Sequence, residues 1–209
     1  MENQRGIERL IFFTDAVAAI AITLLILPLV EIVTNDAGKQ SVETFIHDNV
    51  SQLFAFTLSF VIIARFWIAN HGILADTIGA TPALIWLDIA WVFTIVVLPL
   101  PTEITAVYPA SELTTVIYIG TCFAGTLLLT AISVYLYRHP KLERKDRPTS
   151  ALQVWGIGST AAGFLFALLL ALIFPSLHYW ALLVLLLATP LDLLVKPLIR
   201  RREIAKAPK

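Results

Sequence analysis

Long apolar runs alternate with short polar segments along the chain. Residues 16–30 and residues 113–137 carry no formal charge, and the run 149–191 contains forty-three residues without Asp, Glu, Lys or Arg. A helix rises ~1.5 Å per residue, so the last run would reach about 65 Å, roughly twice the ~30 Å hydrocarbon core of a bilayer. It is therefore predicted to cross a membrane twice, with the turn near Pro175.

The whole pattern predicts an all-α, polytopic membrane protein in which residues 1–209 form a single six-helix domain. Residues 33–49 are predicted to be a polar loop. The segment Asp76–Pro82 has the composition of a helix-breaking turn. The six predicted transmembrane helices cover about residues 7–32, 50–74, 83–106, 113–137, 151–174 and 178–199.

Composition agrees with this class and excludes several others. The chain is 58% hydrophobic and 14% charged, whereas soluble domains carry about 25% charged residues. A net charge of zero argues against a nucleic-acid partner. The single Cys122 lies in an apolar stretch, so neither a disulfide framework nor a thiolate metal site is expected. Metal-ligand and nucleophile-elbow motifs are absent, so we expect no metal site, no catalytic residue and no enzyme activity.

Basic residues predict the orientation. If the N-terminus is cytoplasmic, inner segments hold fourteen of the fifteen Lys and Arg residues, and outer segments hold only Lys39. Both termini are therefore predicted to be cytoplasmic. The cluster at 196–202 is predicted to anchor to anionic headgroups. Acidic outer segments would concentrate cations, although they would equally complement positive-inside sorting. They carry Glu31, Asp36, Glu43, Asp48, Glu103 and Glu112.

The first predicted span has a stripe that differs from the rest of the helix. At about 100° per residue, Asp15 lies about 140° from Ile20 and so points away from this stripe. Pro28 removes a backbone donor, which favours a kink or a cavity lining. By itself the stripe would equally suit contact with lipid or with neighbouring helices. Its members lie within about 60° of Ile20: Ile20, Thr23, Leu24, Leu27 and Glu31.

Polar residues also gather in the predicted cytoplasmic half of the membrane. Charged groups at such depths pair with one another or face water. Arg9 and Asp15 are six residues apart, about 240° around the helix, so each is predicted to need a partner from another helix. We interpret the cluster as a packing lock on the first helix, and alternatively as a gating element or a proton site at histidine. The candidate partners are Asn70, His71 and Asp88, with Trp67 packed beside them.

Two arginines leave alternatives open. Arg9 falls near the stripe on the helical wheel, so it either joins the cluster or lies at an inner mouth. Arg65 either pairs with Asp192 or Asp88, or extends its charged end to the membrane surface.

The segment Arg9-x-x-x-Phe13-Thr14-Asp15 resembles the Arg-x-x-x-Phe-Ser-Asp signature of the transmembrane protein 175 family. These proteins are endolysosomal potassium channels and their prokaryotic relatives. Thr14 stands where the signature has Ser, which keeps the hydroxyl and adds a methyl group, so we expect little functional change. The resemblance covers the first helix closely and the remainder by topology.

The resemblance implies six helices per subunit, a homotetramer in the cell membrane, and a central pore lined by the first helix. It also implies a hydrophobic gate at Ile20, Leu24 and Leu27, with Thr23 as a hydroxyl layer and Glu31 at the outer mouth. The implied function is passive, potassium-preferring conduction of monovalent cations across a lipid bilayer, with K⁺ as the permeant ion and no cofactor. No Thr-Val-Gly-Tyr-Gly filter is present, so selectivity cannot come from that carbonyl cage.

An alternative function remains open at this point. A proton-coupled secondary transporter or a proton-permeable channel would use Asp15, His71 and Asp88 as a relay, because histidine titrates near neutral pH. No matched pair of broken helices or inverted repeat stands out in the chain, as such transporters commonly have.

Overall fold

The computed structural model describes residues 2–36, 38, 41–108 and 111–174, and this part of the chain is helical. Five of its helical segments are long and apolar enough to cross a membrane. They run over Gln4–Asn35, Val50–Leu74, Pro82–Val107, Glu112–Arg138 and Ala151–Ile173. The protein is thus a multi-pass membrane protein.

These five segments occupy the places predicted for the first five spans. The sixth, predicted at 178–199, lies outside the described residues, as do the turn near Pro175 and the basic cluster at 196–202. The described helices are α1 (Glu2–Leu24), α2 (Leu27–Asp36), α3 (Val42–Asp48), α4 (Val50–Leu74), α5 (Pro82–Val97), α6 (Pro99–Val107), α7 (Glu112–Arg138) and α8 (Ala151–Ile173).

The prediction of a polar loop over 33–49 is wrong for most of its length. Helix α2 continues to Asp36, and α3 occupies Val42–Asp48. The short helix begins where the Ser41 hydroxyl accepts a hydrogen bond from the Thr44 N–H at 3.3 Å. Such a cap satisfies a backbone donor that has no partner inside the helix, so a polar segment can still be helical.

Two of the membrane segments are interrupted near proline. The first segment breaks at residues 25–26, between α1 and α2, and Pro28 has no N–H to donate to the Leu24 carbonyl four residues earlier. The third segment breaks at Leu98, directly before Pro99. Both breaks follow from a missing backbone hydrogen bond, and both lie in the half of the membrane that was predicted to be outer.

Helix α7 lies at the centre of the described bundle and packs against α4, α5, α6 and α8. Gly125 on α7 permits the closest approach, because a Cβ atom there would lie 3.1 Å from Phe66 and 3.2 Å from the Thr94 hydroxyl. Cys122 is fully buried one turn earlier, as a small packing residue. Small residues commonly allow such contacts between membrane helices.

Helix α1 lies at the edge of this bundle, packed against α4 and α5. Helix α2 makes only weak contacts with the other described helices. The N-terminal half of the first segment is therefore held by packing within the subunit, and the described helices leave the C-terminal half largely uncovered.

Candidate functional site

The carboxyl group of Asp88 is the centre of a fully buried cluster that joins three helices. The Thr14 hydroxyl on α1 donates to Asp88 Oδ2 at 2.6 Å, and the Asn70 amide on α4 donates to Asp88 Oδ1 at 2.8 Å. None of the three residues is more than 1% exposed. Since each carboxyl oxygen accepts a hydrogen bond, the polar group is tolerated at a depth where an unpartnered one would be costly.

The start of helix α5 is determined by the residues just before Asp88. Helix α5 begins at Pro82, where the missing proline N–H costs nothing, and the Thr81 hydroxyl caps the helix by accepting from the Leu84 N–H at 3.3 Å. Asp88 follows in the second turn. The turn before α5 also approaches α1, because a Cβ atom at Gly6 would lie 3.8 Å from Ala80.

Asp15, the neighbour of Thr14, contacts α4 instead. The Trp67 indole N–H donates to Asp15 Oδ1 at 2.8 Å, and His71 Nδ1 lies 3.4 Å from the same oxygen. The two rings are one helical turn apart, with their centroids at 5.7 Å. Asp15 and His71 are partly exposed, unlike the Asp88 cluster. The predicted candidates therefore divide into a buried group and a partly exposed group.

This division differs in detail from the prediction. Asn70 and Asp88 were proposed as partners for Arg9 or Asp15, yet they bond with each other and with Thr14. Neighbouring residues on a helix point about 100° apart. Thr14 therefore points towards α5 while Asp15 points towards α4. The hydroxyl of the motif, rather than its carboxylate, reaches α5.

The prediction that Arg9 pairs with another helix is not met within the described residues. None of the ion pairs between those residues includes Arg9, and its side chain is exposed. Phe13 of the same motif is also exposed. The reason is rotational, because Arg9 lies about 20° from Ile20 on the helix and shares its outward face. Arg65 is exposed as well and forms no ion pair with Asp88, and Asp192 lies outside the described residues.

The predicted stripe lies on the face of the first segment that the described helices leave uncovered. Ile20 is 57% exposed, Leu24 44% and Leu27 55%. Thr23 is also exposed, and its hydroxyl donates to the Ile20 carbonyl at 2.8 Å. The hydroxyl oxygen keeps its lone pairs, so one outward-facing acceptor lies between the aliphatic side chains.

The opposite face of the same segment is buried. Its side chains pack into the subunit at roughly helical spacing: Ile7, Leu10, Ala18, Ala21, Leu25 and Leu29. The alanines allow α1 to approach α4 and α5 closely. A face of an apolar helix that the described residues leave uncovered has to be buried against lipid, against other copies of the chain or against the part of the chain after residue 174.

Acidic residues lie at the other end of the first segment. Glu31 is exposed on α2. A crevice nearby is lined by Leu25, Pro28 and Leu29 of the first segment together with Gln52, Thr102 and Glu103. Glu103 was predicted as a residue of an outer segment; it lies on α6, within the third membrane segment, and faces this crevice.

A comparison with protein families agrees with the motif. The model of the endosomal/lysosomal potassium channel TMEM175 matches residues 9–99. The chain is therefore similar to this family over its first three membrane segments. The matched region contains the stripe of the first segment and every residue of the two polar groups around Asp15 and Asp88. A search of curated proteins finds no match to the chain.

Sequence reasoning missed a second buried polar cluster. The Ser59 hydroxyl lies 2.9 Å from the Tyr118 hydroxyl and accepts from Thr102 at 2.8 Å. All three residues are buried and join α4, α6 and α7. They are uncharged, so the charge pattern gave no signal for them. The sequence signal for this cluster is a hydroxyl residue on an apolar helical face. This signal is weaker than a charge, because such hydroxyls commonly bond with the backbone of their own helix.

The buried cluster leads to a test with Thr14. Thr14→Val keeps the shape and removes the donor to Asp88, so we expect it to lower the stability of the purified protein by about 0.5–2 kcal/mol. Thr14→Ser is the matched control, because it keeps the hydroxyl. Thermal unfolding in detergent should give a lower Tm for the valine variant than for the serine variant. Equal Tm values for the two variants would show that the bond contributes nothing measurable.

Proposed function

We propose that the protein is a potassium-preferring cation channel that conducts K⁺ passively through a central pore. The match to a family of potassium channels supports a potassium channel function in general. Membrane-spanning helices support a bilayer environment and the conduction of monovalent cations. The uncovered stripe on the first segment is the single observation that carries the finer proposal.

The first segments of several copies line the pore in this proposal. The described part of each subunit leaves one helix face uncovered, and a closed channel needs copies of that face around a symmetry axis. The family resemblance suggests four copies, hence a homotetramer of single six-helix domains. The weak packing of α2 against the other described helices supports this arrangement, because other copies would supply further contacts.

Ile20, Leu24 and Leu27 form the constriction in this proposal, and Thr23 adds a hydroxyl layer beside it. A narrow aliphatic ring gates by losing its water. It favours K⁺ over Na⁺ because K⁺ gives up its water at lower cost. Glu31 lies at the outer mouth, where its charge would raise the local cation concentration.

The polar residues on the side of α1 opposite the stripe hold the pore helix against α4 and α5 in this proposal. Thr14, Asp15, Trp67, Asn70, His71 and Asp88 form the structural or gating network, and Arg9 and Phe13 share the outward face nearer the cytoplasm. We further propose that the protein lies in the cell membrane with both termini in the cytoplasm, needs no cofactor beyond permeant K⁺, and is not an enzyme.

Substitutions in the stripe test the constriction. Ile20→Asn is expected to reduce the K⁺/Na⁺ permeability ratio, because an amide ring can replace the water of Na⁺ where an aliphatic ring cannot. Leu27→Ala is expected to raise conductance by widening the ring. Currents from the purified variants in planar bilayers measure both quantities.

Ile26 provides a matched control for these substitutions. It is exposed at the break between α1 and α2, and a continuous helix would place it about 120° from Ile20. Ile26→Asn and Ile26→Ala should therefore leave the permeability ratio and the conductance unchanged. The constriction assignment fails if the stripe variants behave like the Ile26 variants.

Assembly is tested separately from conduction. Particle images of the purified, detergent-solubilised protein should show four copies around one axis, with the first helix of each copy nearest that axis. Images in which this helix faces the detergent belt would contradict the pore assignment, whatever the subunit number.

A second candidate function has one observation in its favour. His71 and Asp15 are close together and partly exposed, as a proton relay would require. A proton-coupled transporter or a proton-permeable channel is therefore the alternative.

Transport measurements separate the two functions. A potassium channel should give ohmic current that reverses near the K⁺ equilibrium potential and persists in His71→Ala. Slow, saturating uptake that depends on a proton gradient and disappears in His71→Ala would favour the carrier. Current that reverses near the proton equilibrium potential would instead indicate a proton-permeable channel.

A further inference from the structure

We propose that the loop between α7 and α8 is a binding site for anionic lipid headgroups, shaped by the buried carboxylate of Glu143. This loop spans residues 139–150 and, together with the α7 end residue Arg138, contains five basic and two acidic residues. It lies outside the matched family region and outside the proposed pore. The proposal concerns lipid binding, so it does not depend on the proposed function.

Glu143 holds the loop in one conformation. The side chain is only 2% exposed, and one carboxyl oxygen accepts from the Thr149 N–H at 2.9 Å. The Thr149 hydroxyl donates to the other oxygen. The same carboxylate therefore closes the loop across six residues immediately before α8 begins.

The α4–α5 turn holds the loop from the other side. The Ile78 N–H donates to the Leu142 carbonyl at 2.7 Å, and the Arg144 N–H donates to the Asp76 carbonyl at 2.9 Å. The Arg144 guanidinium lies 4.0 Å from the Asp76 carboxylate. These bonds pair the loop with a short extended segment of the turn. A basic loop would otherwise extend through repulsion between its charges, so the bonds organise it.

The fixed loop presents mainly positive charge. Glu143 points inward and is fully satisfied, which removes one of the two acids from the surface. Asp146 is the remaining exposed acid. No ion pair between described residues includes the four other cations, which are all exposed: Arg138, Lys141, Lys145 and Arg147.

The loop lies beside a membrane surface on either orientation of the protein. It connects two adjacent helices that are both long and apolar enough to cross a bilayer. Tyr137 and Trp155 are exposed at the two helix ends that flank it, and such aromatic residues are typical of the headgroup level. Clusters of Lys and Arg directly beside a membrane helix attract anionic lipids. The position therefore favours a lipid headgroup over a free phosphate compound.

Native mass spectrometry of the purified full-length protein tests this proposal. Phosphatidylglycerol is titrated into the detergent-solubilised protein, and phosphatidylcholine serves as the zwitterionic comparison. The variant Lys141→Gln/Lys145→Gln/Arg147→Gln should bind phosphatidylglycerol about tenfold or more weakly, with phosphatidylcholine unaffected. The matched control Lys141→Arg/Lys145→Arg/Arg147→Lys preserves every charge and should bind like the native protein. Equal phosphatidylglycerol affinity for the two triple variants would overturn the proposal.

Glu143→Gln distinguishes a shaped site from diffuse attraction. The substitution makes the chain more positive by one charge, so diffuse attraction would bind phosphatidylglycerol more tightly. A site shaped by the carboxylate should bind it more weakly, because the two Thr149 donors bond with different carboxylate oxygens and glutamine replaces one of those oxygens by an NH2 group, which cannot accept. Tighter or unchanged binding by a variant with native Tm would overturn the role of Glu143.

Inorganic phosphate provides the final comparison. Millimolar phosphate should leave phosphatidylglycerol bound to the native protein. Displacement of the lipid by phosphate at those concentrations would overturn the lipid assignment in favour of a free phosphate compound.

Discussion

A carboxyl group placed inside a membrane helix must find hydrogen-bond donors, and Asp88 finds them on two other helices. The Thr14 hydroxyl and the Asn70 amide each bond with one of its oxygens. Little water is available at that depth, so the donors must come from the protein itself. The requirement joins α1, α4 and α5 at one level. It also limits α1 to rotations and translations that keep Thr14 directed at α5.

This limit determines which face of α1 is left uncovered. Thr14 lies about 120° from Ile20 in one direction, and Asp15 lies about 140° from it in the other. Thr14 reaches α5, while Asp15 reaches Trp67 on α4. Because α4 and α5 occupy both of these directions, the stripe around Ile20 faces away from the described bundle. The rotation of α1 about its own axis therefore determines both the contacts of the motif and the direction of the stripe.

Much of this arrangement could be predicted from the sequence, because it depends on helical periodicity. The apolar runs located the five described membrane segments, and the helical wheel separated Asp15 from Ile20. Pairing between helices could not be obtained in this way. Whether Asn70 meets Asp15 or Asp88 depends on a few ångströms of helix translation, which periodicity does not specify. The burial of Glu143 could not be predicted either, since it depends on the bonds with Thr149 and on a turn more than sixty residues earlier.

The two halves of the subunit differ in how firmly the first segment is held. In the half that contains Asp88, α1 is bonded to α4 and α5, and the neighbouring turn is joined to the α7–α8 loop. In the other half, the backbone is interrupted at residues 25–26 and at Leu98, and a crevice separates α2 from α4 and α6. Among the described residues, moving α2 would therefore break fewer interactions than moving α1. The proposed constriction, at residues 20–27, lies where the firmly held half meets the interrupted one, so a small displacement of α2 would change its width while the polar cluster stays intact.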